Sequence, residues 1–524
     1  MKIETMVFLF VAAILCSTSL LAETVVLTTP QGKLEGQTSF RNDNIAVFKH
    51  IPYAIPPLGQ RRFQHAEPAP DWQGTRLATQ FSPACLQPPY PAASFYARAM
   101  EPTSEDCLYL NVWAPHEAVS GKRGSAGQTK STKPLPVMVW IHGGGLTRGS
   151  GAGSIYDGAG LAAKGVVLVT INYRLGVFGY MAHPEASAES SFGVSGNYGT
   201  SDQIVALQWV QRNISAFGGD PDNVTIFGES AGSWSVHHML ATPRGKGLFH
   251  KAIGQSGARF GRMPTLRGDA TSGHAQGVKL QTLMGADNLA ELRQIDGETL
   301  LAASQQMQFS EVHDGVIFPE QFYEMFAGHR YNVVPLMVGY NADEGTTLSN
   351  PKSLPRTAES YKALLEERYG DFAAPLLRHY PASTPRSSSL HLMRDTLFGH
   401  GMHTWARFNA QQEKNTYFYY FTHEPLGAPL GAFHAAEIAY VFDNLASQQT
   451  GLGELDQRLA ELMSDFWVAF ARTGRPEVEG APKWPRYSAN KPLHIEFSAE
   501  GAVRGKNSLG KRYPTLERLS ASMR

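Results

Sequence analysis

The pentapeptide GESAG at residues 228–232 constrains this chain more than any other feature. It follows a β-branched segment, residues 224–227, and precedes a segment that can be helical, residues 233–240. A strand that turns sharply into a helix leaves no room for side chains beside the central residue, which explains the flanking glycines. The pattern therefore predicts that the Ser230 hydroxyl projects above a sheet at a helix N-terminus, where developing negative charge is favoured. It is typical of a nucleophilic serine.

A second glycine-rich motif follows another apolar segment. His142 and three consecutive glycines come directly after residues 137–141. Consecutive glycines let backbone N–H groups turn toward one point, as a tetrahedral oxyanion requires. Alone, such a triplet is typical of a flexible turn. Its place after a strand and before the 228–232 motif favours an oxyanion hole, completed by the amide of Ala231.

A serine hydroxyl is a weak nucleophile at neutral pH, so it needs a base and an acid that orients the base. In this architecture the acid and then the histidine follow the serine along the chain. The candidate bases are therefore His391, His400, His403, His423 and His434. His434 is the best of these because it lies in the glycine-rich stretch 427–436 after an apolar segment. The candidate acids, Asp343 and Glu344, also follow an apolar segment, and spacing does not separate them.

Short apolar segments alternate with longer helical or mixed stretches, which predicts an α/β fold: a large, mostly parallel sheet with helices on both faces. The predicted strands are residues 135–141, 166–171, 224–227, 252–255, 334–339 and 417–421. The predicted helices are residues 202–214 and 455–473. Polar stretches at 121–133 and 383–389 are predicted to be loops. Since neither is long enough for an interdomain linker, we expect residues 23–524 to form a single domain.

The N-terminus has the pattern of a signal peptide. Lys2 precedes an apolar run at 6–15, and small residues lead to Ala22, where cleavage is predicted. A run of about ten apolar residues is too short to span a bilayer, which needs about 20. We therefore expect a secreted or periplasmic protein without a membrane span. Removal of residues 1–22 leaves two cysteines, Cys85 and Cys107, which suggests one disulfide in an oxidising compartment.

The charge balance argues against two classes of partner. The chain has 46 Lys plus Arg and 46 Asp plus Glu, and no long basic run, so neither nucleic acid nor an anionic membrane is expected to bind. His142, His237 and His238 are interpreted as structural or pocket-lining residues because their spacing does not suit a metal site. The predicted chemistry needs no metal and no organic cofactor. The sequence carries no signal for an oligomeric state.

Four separated motifs resemble the type B carboxylesterase and cholinesterase family, which has the α/β-hydrolase fold. They are residues 104–111 (SEDCLYLN), 227–232 (FGESAG), 341–345 (NADEG) and 434–437 (HAAE). The resemblance implies a serine esterase that forms an acyl-enzyme on small to medium ester substrates. It also implies a triad of Ser230, Glu344 and His434, which selects Glu344 over Asp343.

The same resemblance assigns further residues. The implied oxyanion donors are Gly144, Gly145 and Ala231. A buried polar network beneath the triad is implied for Glu229, Ser256 and Glu437. The implied structural pairs are the disulfide Cys85–Cys107 and the ion pairs Arg62–Glu105 and Arg174–Asp202.

Three departures from the family pattern limit what the resemblance implies. Between the cysteines, residues 86–106 contain Phe95 and Tyr96 but no tryptophan, whereas cholinesterases place their choline-binding tryptophan there. A quaternary ammonium needs an aromatic face, so we do not expect choline esters as substrates. Leu146 stands where an aromatic residue often follows the glycines, and Ala435 replaces a glycine common after the histidine.

The substrate pocket is expected to include Phe95, Leu146, Phe260 and Phe309. Two alternative functions remain open at this point. One is a non-catalytic binding or adhesion protein of the same family, and the intact serine, glutamate and histidine argue against it. The other is a hydrolase of amides, thioesters or long-chain lipids.

Overall fold

A computed structural model describes residues 22–91, 94–96, 101–120, 133–413, 415–425, 430–447 and 453–524. Its strands are β1 (Thr24–Thr28), β2 (Lys33–Ser39), β3 (Asn42–Pro52), β4 (Thr75–Leu77), β5 (Ala84–Cys85), β6 (Thr103–Ser104), β7 (Tyr109–Pro115), β8 (Leu135–Ile141), β9 (Val167–Ile171), β10 (Gly219–Glu229), β11 (Lys251–Gln255), β12 (Leu336–Asn341), β13 (Thr416–Phe421), β14 (Leu493–Ser498) and β15 (Gly501–Lys506).

One large sheet organises the described residues. Its strand order is β1-β2-β3-β7-β9-β8-β10-β11-β12-β13-β14-β15, with β4 paired to β2. The strands from β9 and β8 through to β14 run parallel, and antiparallel strands complete both ends. The expected mostly parallel α/β architecture is confirmed.

The central strands are mostly apolar because both faces of the sheet are covered. On β8, Val139 and Ile141 belong to one hydrophobic cluster, whereas Met138 and Trp140 belong to another. The alternation of a strand sends successive side chains to opposite faces, so each face has its own core.

Helices cover both faces. They are α1 (His116–Ser120), α2 (Ala159–Ala163), α3 (Gly176–Tyr180), α4 (Pro184–Glu189), α5 (Tyr198–Asn213), α6 (Ala231–Ala241), α7 (Gly273–Leu283), α8 (Leu289–Gln294), α9 (Gly297–Ser304), α10 (Phe322–Ala327), α11 (Gly345–Leu348), α12 (Ala358–Tyr369), α13 (Ala373–Leu377), α14 (Pro385–Arg394), α15 (His400–Gln412), α16 (Ile438–Val441), α17 (Glu454–Thr473) and α18 (Tyr513–Ser522). Apolar residues of α5, α6 and α15 pack on one face, and those of α2, α16 and α17 on the other.

All six predicted strands and both predicted helices are present, with ends that differ by a few residues. The loop predicted at 383–389 is wrong, because α14 begins at Pro385 and continues to Arg394. A proline in the first turn loses no helical hydrogen bond, and the buried leucine of this helix, Leu392, lies beyond the polar stretch. Residues 121–132 of the other predicted loop lie outside the described residues.

The implied cross-links are present. Cys85 and Cys107 form a disulfide with Cα atoms 4.9 Å apart. The buried Arg174 guanidinium contacts the Asp202 carboxylate at 2.6 Å, and Arg62 contacts Glu105 at 2.5 Å. Among the described residues, no helix has both the length and the apolar character needed to cross a bilayer.

Candidate active site

Ser230 lies at the sharp turn between β10 and α6. Its backbone has φ 56° and ψ −122°, a conformation that side-chain-bearing residues rarely adopt. A Cβ atom on Gly232 would overlap the Ile141 carbonyl oxygen, and one on Gly228 would overlap Gly232. The glycines are therefore required by close backbone approach, and Ser230 stays partly exposed at the end of the sheet.

The glycine loop that follows β8 packs beside this serine. A Cβ atom on Gly143 would lie 3.1 Å from Ser230 Cβ, and one on Gly144 would overlap the Arg148 carbonyl oxygen. The Gly144 carbonyl accepts hydrogen bonds from the amides of Thr147 and Arg148 at 3.2 Å and 3.0 Å. These two hydrogen bonds close a turn that holds the backbone of the glycine loop in place.

Three backbone amides near the serine have no acceptor within the described part of the chain. They belong to Gly144, Gly145 and Ala231. Ala231 is the first residue of α6, whose opening N–H groups have no partner within the helix. The three amides are therefore available to a ligand oxygen.

Glu344 and His434, separated by 90 residues, meet above the ends of β12 and β13. Nδ1 of the imidazole lies 2.6 Å from Glu344 Oε2, and both residues are buried. Glu344 Oε1 accepts a hydrogen bond from the Asn341 backbone at 2.8 Å, which fixes the carboxylate. Such a contact sets the tautomer and orientation of an imidazole.

Asp343 has a different role. Its Oδ2 accepts a hydrogen bond from the Ala432 amide at 3.0 Å, and its own amide donates to the Ala432 carbonyl at 2.9 Å. Asp343 thus anchors the loop that carries His434. The two neighbouring carboxylates, which spacing could not separate, have different partners in the structure.

The other imidazole nitrogen faces Glu229. His434 Nε2 lies 3.2 Å from Glu229 Oε1. Among the described residues, no hydrogen bond joins Nε2 to Ser230 Oγ. A Cβ atom on Gly143 would lie 3.1 Å from both Glu229 Oε2 and Ser230 Cβ, so the carboxylate and the serine side chain adjoin the same loop residue. Catalytic hydrogen bonds are often long or misaligned without substrate and tighten when it binds.

Three buried carboxyl groups surround this imidazole and shift its protonation. Burial lowers the pKa of His434, but the charges of Glu229 and Glu344 raise it more, to about 9. Burial also raises the pKa of Glu229 well above its usual range; His434 opposes this shift, while Glu437 and Glu344 add to it. Protonation of Glu229 removes one of the charges that hold the proton on His434, and so favours the neutral imidazole.

Glu437 anchors a polar network beneath these residues. Its carboxylate accepts hydrogen bonds from the side chains of Asn341 at 2.6 Å and Gln255 at 3.1 Å. Burial, followed by the Glu344 charge, raises the pKa of Glu437. Ser256 is buried nearby, but its hydroxyl has no hydrogen-bond partner in the described part of the chain.

Two contacts to His434 were not identified from the sequence. The Tyr96 hydroxyl donates to the His434 carbonyl at 2.9 Å. The Phe398 ring stacks on the imidazole, with centroids 4.9 Å apart and planes inclined by 30°. Phe398 lies in a π-helical turn, Asp395–Gly399, between α14 and α15. No pattern in the sequence marks this turn.

Two cavities flank the site. The histidine-side cavity, about 630 Å³, is lined by Tyr96, Phe433 and Ala435 beside His434 and extends to the tip of the β2–β3 hairpin. The glycine-loop cavity, about 470 Å³, is lined by residues that include Gly145, Leu146, Trp234 and Phe309. Of the predicted pocket residues, Phe95 lines the first cavity, and Leu146 and Phe309 line the second.

Phe260 and the histidine pair lie in the core. Phe260 packs edge-on against His237 and Phe326 at 4.8 Å and 5.5 Å between centroids. His237 stacks on Phe326 at 4.2 Å, and His238 stacks on Phe322 at 5.2 Å. Burial lowers the pKa of both imidazoles, consistent with their interpretation as structural residues.

A family model described as the carboxylesterase family matches residues 23–513. This chain belongs to the carboxylesterase family. The carboxylesterase is 37% identical over 496 residues to the fumonisin B1 esterase of Sphingopyxis macrogoltabida, covering 92% of this chain and 88% of the relative. It is also 37% identical over 482 residues to the para-nitrobenzyl esterase of Bacillus subtilis strain 168, covering 88% and 92%.

Solved structures agree with this membership. The carboxylesterase superposes on a PNB esterase with a TM-score of 0.80 and 34% identity, covering 94% of this chain and 99% of that one. A carboxylesterase of Geobacillus stearothermophilus gives a TM-score of 0.80 at 33% identity, covering 94% and 100%. The fold is therefore the α/β-hydrolase fold, and the protein is a serine-dependent carboxylic ester hydrolase.

Proposed function

We propose that Ser230 is the nucleophile of this esterase, His434 its general base and Glu344 the acid that orients the base. The contact of 2.6 Å between His434 Nδ1 and Glu344 Oε2 supports this assignment most directly, because it leaves Nε2 to exchange protons at the serine end of the site. The turn that exposes Ser230 adds a second, independent argument.

Hydrolysis then proceeds in two steps. Ser230 Oγ attacks the ester carbonyl and gives its proton to His434 Nε2, while the amides of Gly144, Gly145 and Ala231 hold the oxyanion. The imidazolium protonates the leaving alcohol, and an acyl-enzyme remains on Ser230. His434 next takes a proton from water, which attacks the acyl carbon; the imidazolium then returns this proton to Ser230 Oγ as the bond to the acyl group breaks and the acid is released. Glu344 stabilises each imidazolium that forms.

The two cavities divide the substrate between them. The leaving alcohol must lie beside the imidazole that protonates it, so the histidine-side cavity receives the alcohol portion. The acyl portion then points into the glycine-loop cavity, beyond Gly145 and Leu146. Both volumes suit small to medium groups.

The test is hydrolysis of para-nitrophenyl esters by the purified protein. Ser230→Ala is expected to lower kcat by about 10³-fold or more. Ser233→Ala is the matched control, since this hydroxyl on the same helix turn donates to the Gly257 carbonyl at 2.5 Å, and it should keep at least a tenth of the activity. Equal rates for wild type and Ser230→Ala would overturn the proposal.

A fluorophosphonate should label the wild-type protein and not Ser230→Ala. A panel of amides, thioesters and long-chain lipids would show whether another substrate class is preferred.

We also propose that residues 23–524 form one catalytic domain, exported after removal of residues 1–22. The large sheet, whose first strand begins at Thr24 and whose last ends at Lys506, supports one domain. The Cys85–Cys107 disulfide supports export, because disulfides persist in oxidising compartments. N-terminal sequencing of the protein recovered from the periplasm or medium should begin at Glu23; an intact N-terminus on cytoplasmic protein would contradict export.

A further inference from the structure

Lys49 brings a positive charge into the histidine-side cavity. It lies on β3 and lines that cavity, with its Nζ 4.1 Å from the centroid of the Phe81 ring. Within the described part of the chain, no carboxylate lies within 4.0 Å of this ammonium and no hydrogen bond reaches it. Burial lowers the pKa of Lys49, against the raising effects of Asp157 and Glu101, so the ammonium is partly removed from water. A partly buried ammonium is unfavourable without an anion beside it, so Lys49 is available to bind the anionic group of a ligand.

The other charged groups lining the cavity are Arg41, Asp157 and Glu101. Arg41 and Asp157 pair with each other at 3.2 Å, and the same Asp157 oxygen accepts a hydrogen bond from the Ala159 amide at 3.1 Å. Glu101 acts on Lys49 only through its field, without forming an ion pair. Lys49 is therefore the cavity cation that has no direct counter-charge among the described residues.

The place of this cation in the cavity decides which part of a substrate it meets. The lining of this cavity includes Phe433 and Ala435, the two chain neighbours of His434, together with Lys49 of β3 and the Phe81 ring that its ammonium contacts. The aromatic rings of Phe95 and Tyr156 also line the space, which suits an aromatic or apolar spacer.

Building on the proposed function, we propose that Lys49 binds a carboxylate carried by the alcohol portion of the ester. The preferred substrate class is then esters whose leaving alcohol is an aromatic or apolar group ending in a carboxylate. The carboxylate replaces the water lost by the ammonium, and the rings of the cavity hold the spacer between it and the reacting carbonyl. Charge-assisted hydrogen bonds of this kind favour binding by about tenfold to 100-fold.

The experiment compares two esters that differ in one charge. Para-acetoxybenzoate carries a carboxylate on its leaving phenol, and para-acetoxybenzamide carries a neutral amide at the same place. The measured quantity is the ratio of kcat/KM for the anionic ester to that for the neutral ester. The amount of active enzyme cancels within each ratio. The difference in leaving-group reactivity is the same for every variant, so it cancels when the ratios of two enzymes are compared.

Lys49→Met is expected to lower this ratio by about tenfold or more, mainly through KM, and Lys49→Arg to retain most of it. Glu101→Gln, which removes a competing negative charge, should raise the ratio. Lys279→Met, which removes one positive charge from an exposed position on α7, is the matched control and should leave the ratio unchanged.

Three results would overturn the proposal. The first is an unchanged ratio in Lys49→Met. The second is an equal loss in Lys279→Met, which would indicate a long-range charge effect. The third is a loss of kcat/KM in Lys49→Met for monophenyl succinate, whose carboxylate lies on the acyl portion, that equals the loss for para-acetoxybenzoate. Failure of the catalytic assignment is distinct, since it would appear as retained hydrolysis of both esters by Ser230→Ala.

Discussion

The imidazole Nε2 of His434 lies 3.2 Å from Oε1 of Glu229, the residue immediately before the proposed nucleophile. The site therefore holds the proposed base between two carboxyl groups, Glu344 at one nitrogen and Glu229 at the other. One orients the imidazole, and the other affects how readily the imidazole gives up its proton. This arrangement makes the acid side of the pH profile sensitive to Glu229.

We expect Glu229→Gln to move the acid limb of the kcat/KM profile to lower pH, by about one unit. The neutral imidazole is the active form, so activity falls as pH drops below the pKa of His434. The Glu229 charge raises that pKa, and an amide cannot. Glu437→Gln should give a smaller shift in the same direction, because Glu437 is a weaker influence on His434. An unmoved limb would mean that Glu229 stays protonated throughout.

The two neighbouring carboxylates should differ in effect. Glu344→Gln is expected to lower kcat by about 10³- to 10⁴-fold, because the amide no longer stabilises the imidazolium. Asp343→Asn should lower it by less than about tenfold, since the new amide oxygen can still accept from the Ala432 N–H. The measurement is kcat of both variants in steady-state hydrolysis of one para-nitrophenyl ester. The reverse ranking would assign the acid to Asp343.

The buried ion pair should matter for stability. Asp202→Asn leaves the Arg174 guanidinium buried without its counter-charge, and we expect a loss of about 3 to 5 kcal/mol in the free energy of unfolding. Asp71→Asn breaks the exposed contact with Arg212 at 2.8 Å and should hardly change the urea midpoint. Comparable midpoints for the two variants would contradict the structural role of Arg174–Asp202.

Ala435 occupies a backbone conformation that favours glycine, with φ 72°. We expect Ala435→Gly to stabilise the protein by about 0.5 to 1 kcal/mol, because relief of left-handed strain exceeds the added entropy cost of glycine. At the adjacent Ala436 the same change should destabilise the fold, since no strain is relieved there. Thermal unfolding of both variants measures the difference. A lower Tm for Ala435→Gly would show that packing of the Ala435 methyl group stabilises the fold by more than the left-handed strain costs.

Much of the fold was predictable because its central strands are buried on both faces and therefore read as continuous apolar runs. The helix α14 was not, because its first turns are polar in sequence and its buried leucine, Leu392, comes later in the chain. The predicted pocket residue Phe260 packs instead in an aromatic cluster. A phenylalanine looks the same in sequence whether its ring faces a cavity or the core.

The sequence alone determined the motifs whose chemistry is local. The glycines around Ser230 are required by close backbone contact, and Gly144 in the loop after β8 is required by the close approach of the Arg148 carbonyl. Only the tertiary structure decided relationships between distant residues: which carboxylate reaches His434, that Glu229 faces Nε2, that Phe398 stacks on the ring, and that Lys49 enters the same cavity. These contacts depend on where separate strands and loops meet in space, and the spacing of residues along the chain does not specify those distances.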